Sequence, residues 1–218
     1  MTLDQFKKAW PVLRKQVSGL QVPYLDAFAE RDRNPFKVLI SCILSLRTQD
    51  RTTGEASERL FALADTPEAL SCLTTEEIEK AIYPVGFYKV KAERIREMSR
   101  EISERHNSRV PDTIEGLLAL KGVGRKTANL VITVGYQKDG ICVDTHVHRI
   151  TNRWGLIETK TPEETEFSLR EILPRRYWKE LNATLVAFGQ GICRPTSPLC
   201  SRCDIRKLCA QRGISHSR

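Results

Sequence analysis

Four cysteines, Cys193, Cys200, Cys203 and Cys209, lie within seventeen positions as C-x6-C-x2-C-x5-C. Thiolates hold zinc or iron–sulfur clusters because soft sulfur donors match those ions. Structural zinc sites usually pair two short knuckles across a longer loop. Here a single pair has the short spacing and all four thiols share one loop. That arrangement favours a [4Fe–4S] cubane over zinc, each sulfur taking a different iron. A zinc deaminase also carries a P-C-x-x-C element, but it needs a histidine two residues before a glutamate. None of His106, His146, His148 and His216 is so placed. The other cysteines, Cys42, Cys72 and Cys142, stand apart in apolar surroundings and read as small core residues.

A second stretch, Leu118 to Val131, reads LALKGVGRKTANLV. An apolar helix ends at Leu120, Gly122 and Gly124 permit backbone conformations that β-carbons disfavour, and a new helix starts near Arg125. Such a hairpin aims N–H groups and a helix N-terminus at one point, which suits a phosphate. A plain helix–turn–helix packing element is the alternative. Lys126 falls in the first turn of the second helix, where a cation opposes the positive end of the dipole. An amine with a neutral share is a nucleophile able to form a Schiff base; a phosphate-contacting or solvated lysine is the plainer alternative. Eighteen residues on, Asp144 in VDTH precedes another helix. It reads as an N-cap, and a carboxylate fixed there can also serve as acid, base or electrostatic partner. His146 and His148 are two apart and point to different helix faces, so they do not form a metal pair.

The elements that must position these groups are helices. Leu3, Phe6, Trp10, Leu13 and Val17 line one face of a first helix. Asn34-Pro35 reads as N-cap and first helical residue of an apolar helix, Phe36 to Leu46. Capping boxes are expected at Thr74 to Glu77, Asp112 to Glu115 and Thr161 to Glu164. A charged helix spans Lys89 to His106, with Ala92, Ile95, Met98 and Ile102 inward. Strand-like alternation is scarce. The expectation is an all-α fold of about ten helices, each shorter than about twenty residues, with a boundary in the Gly135 to Gly140 stretch.

The chain has 218 residues, with 35 lysines and arginines against 27 acidic residues, a formal charge of +8. That balance suits a polyanionic partner. Seven cysteines, an odd number, argue against a disulfide framework in a reducing compartment. The longest mostly apolar run, Val38 to Leu46, is far short of the roughly 20 residues a membrane helix needs. The first residues lack a secretory core, so an intracellular, cytoplasmic location is expected, at the nucleoid in a bacterium. Nothing in the composition suggests a large apolar interface, so a monomer is expected.

The hairpin, the V-D-T-H segment and the four-cysteine spacing, in this order, resemble the endonuclease III family of helix-hairpin-helix DNA glycosylases, from about Tyr24 to Cys209. The resemblance implies a two-lobed helical fold. A six-helix lobe (25–137) carries the helix-hairpin-helix, and a second lobe (1–24 plus 138–218) carries the [4Fe–4S] cluster on Cys193, Cys200, Cys203 and Cys209. Double-stranded DNA with damaged bases or abasic sites would bind between the lobes, and Lys126 would be the nucleophile with Asp144 as the catalytic carboxylate. The implied activity is excision of oxidised pyrimidines followed by strand cleavage at the abasic site. Lys121, Gly122, Val123, Gly124 and Arg125 would hold DNA phosphates. Arg47 and Phe87 would fill the space left by a flipped base. Arg47 stands where the family often has glutamine, Phe87 where it often has leucine, and Lys121 where it usually has proline. Two alternatives are a mismatch-specific glycosylase of the same fold and a non-catalytic iron–sulfur DNA-binding protein.

Overall fold

Thr2 opens the first helix through the reciprocal bond that its spacing to Gln5 permits. Its hydroxyl accepts from the Gln5 N–H at 3.2 Å, and the Gln5 side-chain oxygen accepts from the Thr2 N–H at 2.8 Å. In the computed structural model, which describes residues 1–20 and 24–218, this helix is α1 (Leu3–Val17), with Phe6, Ala9, Trp10 and Leu13 buried. Eight more helices follow: α2 (Tyr24–Arg31), α3 (Pro35–Ser45), α4 (Asp50–Leu63), α5 (Pro67–Cys72), α6 (Thr75–Ile82), α7 (Tyr88–Arg105), α8 (Ile114–Ala119) and α9 (Arg125–Leu130). A π-helical turn, Val131–Gly135, continues α9. The last are α10 (Thr145–Trp154), α11 (Pro162–Ile172) and α12 (Trp178–Gly191). Among the described residues there is no strand. The helices exceed the expected ten because α5, α8 and α9 have six residues each, too few to display a periodicity.

The caps explain most of the boundaries. Asn34 accepts from the Phe36 N–H at 2.9 Å and starts α3 ahead of Pro35. Thr74 and Glu77 form the expected box. The box expected at Asp112 is displaced by one residue: Thr113 is the cap and accepts from the Gly116 N–H at 3.1 Å. Glycine in the third helical position has no side chain to return the bond. At α11, Thr161 accepts from the Glu164 N–H, while the Glu164 carboxylate reaches one residue further, to the Lys160 N–H at 2.8 Å.

The chain divides into two compact units, Tyr24–Gly140 and Met1–Pro23 with Ile141–Arg218. In the first, α3 is the central strut, packed against α4, α7, α9 and the π-helical turn. Its Val38, Leu39, Ile40 and Leu44 have no exposed surface. Cys42 lies in the same core, but Cys72 does not: α5 buries Pro67 and Leu70, and Cys72 sits exposed on the other face. In the second unit, α12 packs on α1 and α10. Phe6, Trp10, Trp154, Tyr177 and Phe188 form its aromatic centre, Phe6 meeting Tyr177 edge-on at 5.2 Å between centroids. Cys142 is buried there too. No helix among the described residues is long and apolar enough to cross a membrane.

Candidate functional site

The glycine hairpin joins α8 to α9. Leu120 and Val123 are buried and anchor the turn, with the Val123 N–H donating to the Leu120 carbonyl at 3.1 Å. With its side chain inward, Val123 can offer only main chain to a ligand. Gly122 has φ +87°, and a β-carbon there would fall 2.6–2.9 Å from the Arg94 side chain. The expectation that both glycines supply unusual conformations needs correction. Gly124 has φ −95° and ψ 172°, extended backbone open to any residue, and a β-carbon there would meet nothing within 4 Å. What Gly124 contributes is a bare mouth at the start of α9, free of a capping side chain. Lys126 is exposed in the first turn and Arg125 is half-buried beside it. Exposed Lys121 pairs with Glu97 at 3.2 Å.

The same unit brings Arg47 and Phe87 together from positions forty residues apart. The Arg47 guanidinium lies 5.6 Å from the centroid of the Phe87 ring. Both residues are exposed and both have left-handed backbone, φ 54° and 59°. Gly86 lets the two turns approach: a β-carbon there would lie 2.6 Å from the Arg47 carbonyl oxygen. The Gly86 N–H donates to the Thr48 hydroxyl at 3.2 Å. Beneath them Lys91, buried in the first turn of α7, donates to the carbonyls of Leu44 (2.9 Å) and Leu46 (2.5 Å) and to the Thr48 hydroxyl (3.2 Å). Sequence reading missed Lys91 because it counted only the apolar residues of this helix, Ala92, Ile95, Met98 and Ile102, as inward. A signal was present: residues 91, 95, 98 and 102 fall on one helical face, the buried one.

In the unit Met1–Pro23 with Ile141–Arg218, Asp144 is the N-cap of α10. Its Oδ1 accepts from the N–H groups of His146 and Val147, both at 2.9 Å. Both cap bonds fall on one oxygen, so Oδ2 is not spent on the cap. His146 and His148 have different partners: the ring of His148 meets the Thr165 hydroxyl at 2.7 Å, and that of His146 meets Arg149 at 3.1 Å.

The four clustered cysteines line one cavity, walled by Trp154, Phe188, Ile192 and Leu199. Cys193 and Cys200 are buried, Cys203 and Cys209 half-buried. Burial pushes the Cys203 thiol up to about 11 and raises Cys193 and Cys209, although the neighbouring Arg153 pulls Cys193 the other way. Such thiols stay protonated until a thiophilic cation displaces the proton. Donors are already aimed at sulfur: Arg153 Nη1 lies 3.3 Å from Cys193 Sγ, and the Gln211 N–H lies 3.3 Å from Cys209 Sγ. Arg153, which sequence reading also passed over, is buried on the inward face of α10. Among the described residues, no three histidine, cysteine or acidic side chains converge closely enough to hold a single metal ion.

Residues 40–175 match the HhH-GPD superfamily of base excision DNA repair proteins. The chain is 48% identical over 179 residues to endonuclease III of Thermotoga maritima, covering 82% of this chain and 84% of that protein. It is 38% identical over 216 residues to the chloroplastic endonuclease III homolog 2 of Arabidopsis thaliana, covering 95% of this chain but 56% of that longer protein. Among solved structures it superposes on a trapped covalent intermediate of endonuclease III with DNA, in an estranged-adenine complex. That match has a TM-score of 0.86 and 31% identity over 97% of both chains.

Proposed function

The chain belongs to the endonuclease III family of the HhH-GPD superfamily, and on that premise we propose that it excises oxidised pyrimidines from double-stranded DNA and then cuts the strand at the abasic site. It is a base-excision DNA glycosylase and lyase. The observation that carries the residue-level reading is the exposed amine of Lys126 at the unobstructed mouth of the glycine hairpin.

The target base is inaccessible in a duplex and must leave the stack. Main-chain N–H groups of the hairpin, with Arg125 and Lys121, hold backbone phosphates. Arg47 and Phe87 occupy the space the base vacates. Neutral Lys126 Nζ attacks C1′ of the deoxyribose, and the bond from C1′ to the base breaks with its electron pair leaving on the base. Asp144 takes the proton released by the amine and offsets positive charge on the sugar. The ring then opens to an imine between Lys126 and C1′. The imine acidifies the C2′ proton. Its removal expels the 3′ phosphate by β-elimination, and water hydrolyses the imine to free the lysine. The protonated imine serves as the electron sink, so these steps need no further group.

Cys193, Cys200, Cys203 and Cys209 would hold a [4Fe–4S] cluster. The donor set fits one: four thiols in one cavity, with N–H groups on two of the sulfurs. When bound, the cluster supplies cohesion to a segment poor in large apolar side chains. The unit Tyr24–Gly140 then corresponds to the hairpin lobe and the other unit to the cluster lobe. The protein works as a monomer beside DNA, in the cytoplasm and at the nucleoid in a bacterial cell.

Borohydride trapping tests the reading. The wild-type protein should form a covalent adduct with a duplex containing an oxidised pyrimidine, and Lys126→Gln should abolish it. An adduct that persists in Lys126→Gln would refute the lysine assignment. A wild-type protein that excises a base without forming any adduct would point to the mismatch-specific alternative.

A further inference from the structure

The turns that carry Arg47 and Phe87 are built against local preference. Each holds a non-glycine residue in the left-handed region, which its β-carbon disfavours, and each is exposed. Such geometry persists only where the surroundings enforce it. We propose that Lys91 is a positioning residue that rivets these two turns into one preassembled wedge, and so governs how the protein opens duplex DNA rather than how it breaks bonds. This inference rests on the reading of Arg47 and Phe87 as the residues that enter the duplex.

One residue reaches both turns. The backbone N–H of Lys91 donates to the Phe87 carbonyl at 3.0 Å, which starts α7 directly after the left-handed residue. Its ammonium crosses to the end of α3 and bonds the Leu44 and Leu46 carbonyls and the Thr48 hydroxyl. Leu46 and Thr48 are the neighbours of Arg47 on either side, so the clamp grips the strained residue by both flanks. Thr48 passes the restraint on, since its hydroxyl also accepts from the Gly86 N–H. Gly86 in turn lies against the Arg47 carbonyl.

The choice of a lysine supports this role. A space-filling residue at a position only 7% exposed would be apolar. None of the three groups bonded by the ammonium is a carboxylate, so an ion pair does not account for it. The ammonium instead meets the carbonyls at the end of α3, where intrahelical partners run out and the dipole is negative. Burial pushes the amine down to about 8, a penalty that a filler would not carry.

The test separates opening from chemistry by comparing wild type with Lys91→Met and, as a milder variant, Thr48→Val. The first measurement is the emission of 2-aminopurine placed opposite a tetrahydrofuran abasic analogue in a duplex, which brightens when the orphan base is unstacked. The second is the rate of borohydride trapping on a single-stranded oligonucleotide with one abasic site, where there is no duplex to open. Both variants should lose most of the brightening, and excision from damaged duplex should fall roughly tenfold. Single-strand trapping should stay within about twofold of wild type. Unchanged brightening in both variants would overturn the proposal. So would equal losses on duplex and single strand, which would make Lys91 a general support of the unit. A wild-type protein that is never trapped on either DNA would instead sink the lyase reading, and the loss or persistence of brightening in the two variants would then decide this inference.

Discussion

Asp144 carries two demands on one side chain, and they can be pulled apart. Its Oδ1 caps α10 through two N–H bonds, a task that asparagine performs about as well as aspartate. The proposed proton acceptance needs the negative charge. Asp144→Asn should therefore keep the melting temperature within about a degree or two while single-turnover excision falls roughly 100-fold. Asp144→Ala should lose the cap as well, about 1 kcal/mol of stability, as read by denaturant unfolding. Lys91 makes a different residue-scale prediction. Its amine titrates near 8 in the folded protein, lowered by burial from an ordinary value near 10.5. Between those values the unfolded chain binds the proton more than the folded one, so this residue's contribution to stability rises with pH across that window. Below it both states are charged and the contribution is constant. The wild-type minus Lys91→Met stability difference should shift toward wild type by on the order of 1–3 kcal/mol from pH 8 to 10.5. A flat difference would show that the ammonium is not desolvated.

At the scale of elements, the hairpin contains two glycines with separate physical reasons to be there. Gly122 answers to the fold: its positive φ strains any residue with a β-carbon, and the end of the Arg94 side chain would have to move aside. Gly122→Ala should cost about 1–2 kcal/mol in denaturant unfolding. Gly124 has ordinary backbone and open space around it. Gly124→Ala should leave unfolding unchanged within about 0.5 kcal/mol, yet weaken DNA binding severalfold in an equilibrium titration, because the methyl stands where a phosphate would approach. The reverse pattern would mean that the hairpin is a packing element rather than an anion site. Helix α7 shows the same division of labour along one face. Ala92, Ile95, Met98 and Ile102 fill the core, while Lys91 on that face reaches out of it to the end of α3.

Across the whole molecule, the +8 charge and the four-thiol cavity are the features no single helix accounts for. The purified protein should be brown, with broad absorption near roughly 400 nm, as expected of a [4Fe–4S] cluster. Cys203→Ser should bleach that band and lower the thermal stability of the unit Met1–Pro23 with Ile141–Arg218. A colourless wild-type protein with stoichiometric zinc would reject the cubane assignment.

How much of this was legible in the chain depends on sequence distance. The hairpin, its lysine and the four-cysteine spacing were readable because each is a pattern within about twenty residues of contiguous chain, where local backbone geometry decides what the side chains can do. The caps were readable for the same reason, and the one at Asp112 slipped by a single residue because Thr113 competes for the same role. The exposed position of Cys72 was misread because a six-residue helix is too short to reveal its buried face. Lys91 with Leu44, Arg94 over Gly122 and Arg153 beside Cys193 join residues 28 to 47 positions apart. Only the packing of helices brings them together: Lys91 and Arg153 are polar side chains on inward faces and Arg94 is half-buried, and the partner of each is set by which neighbouring helix ends there.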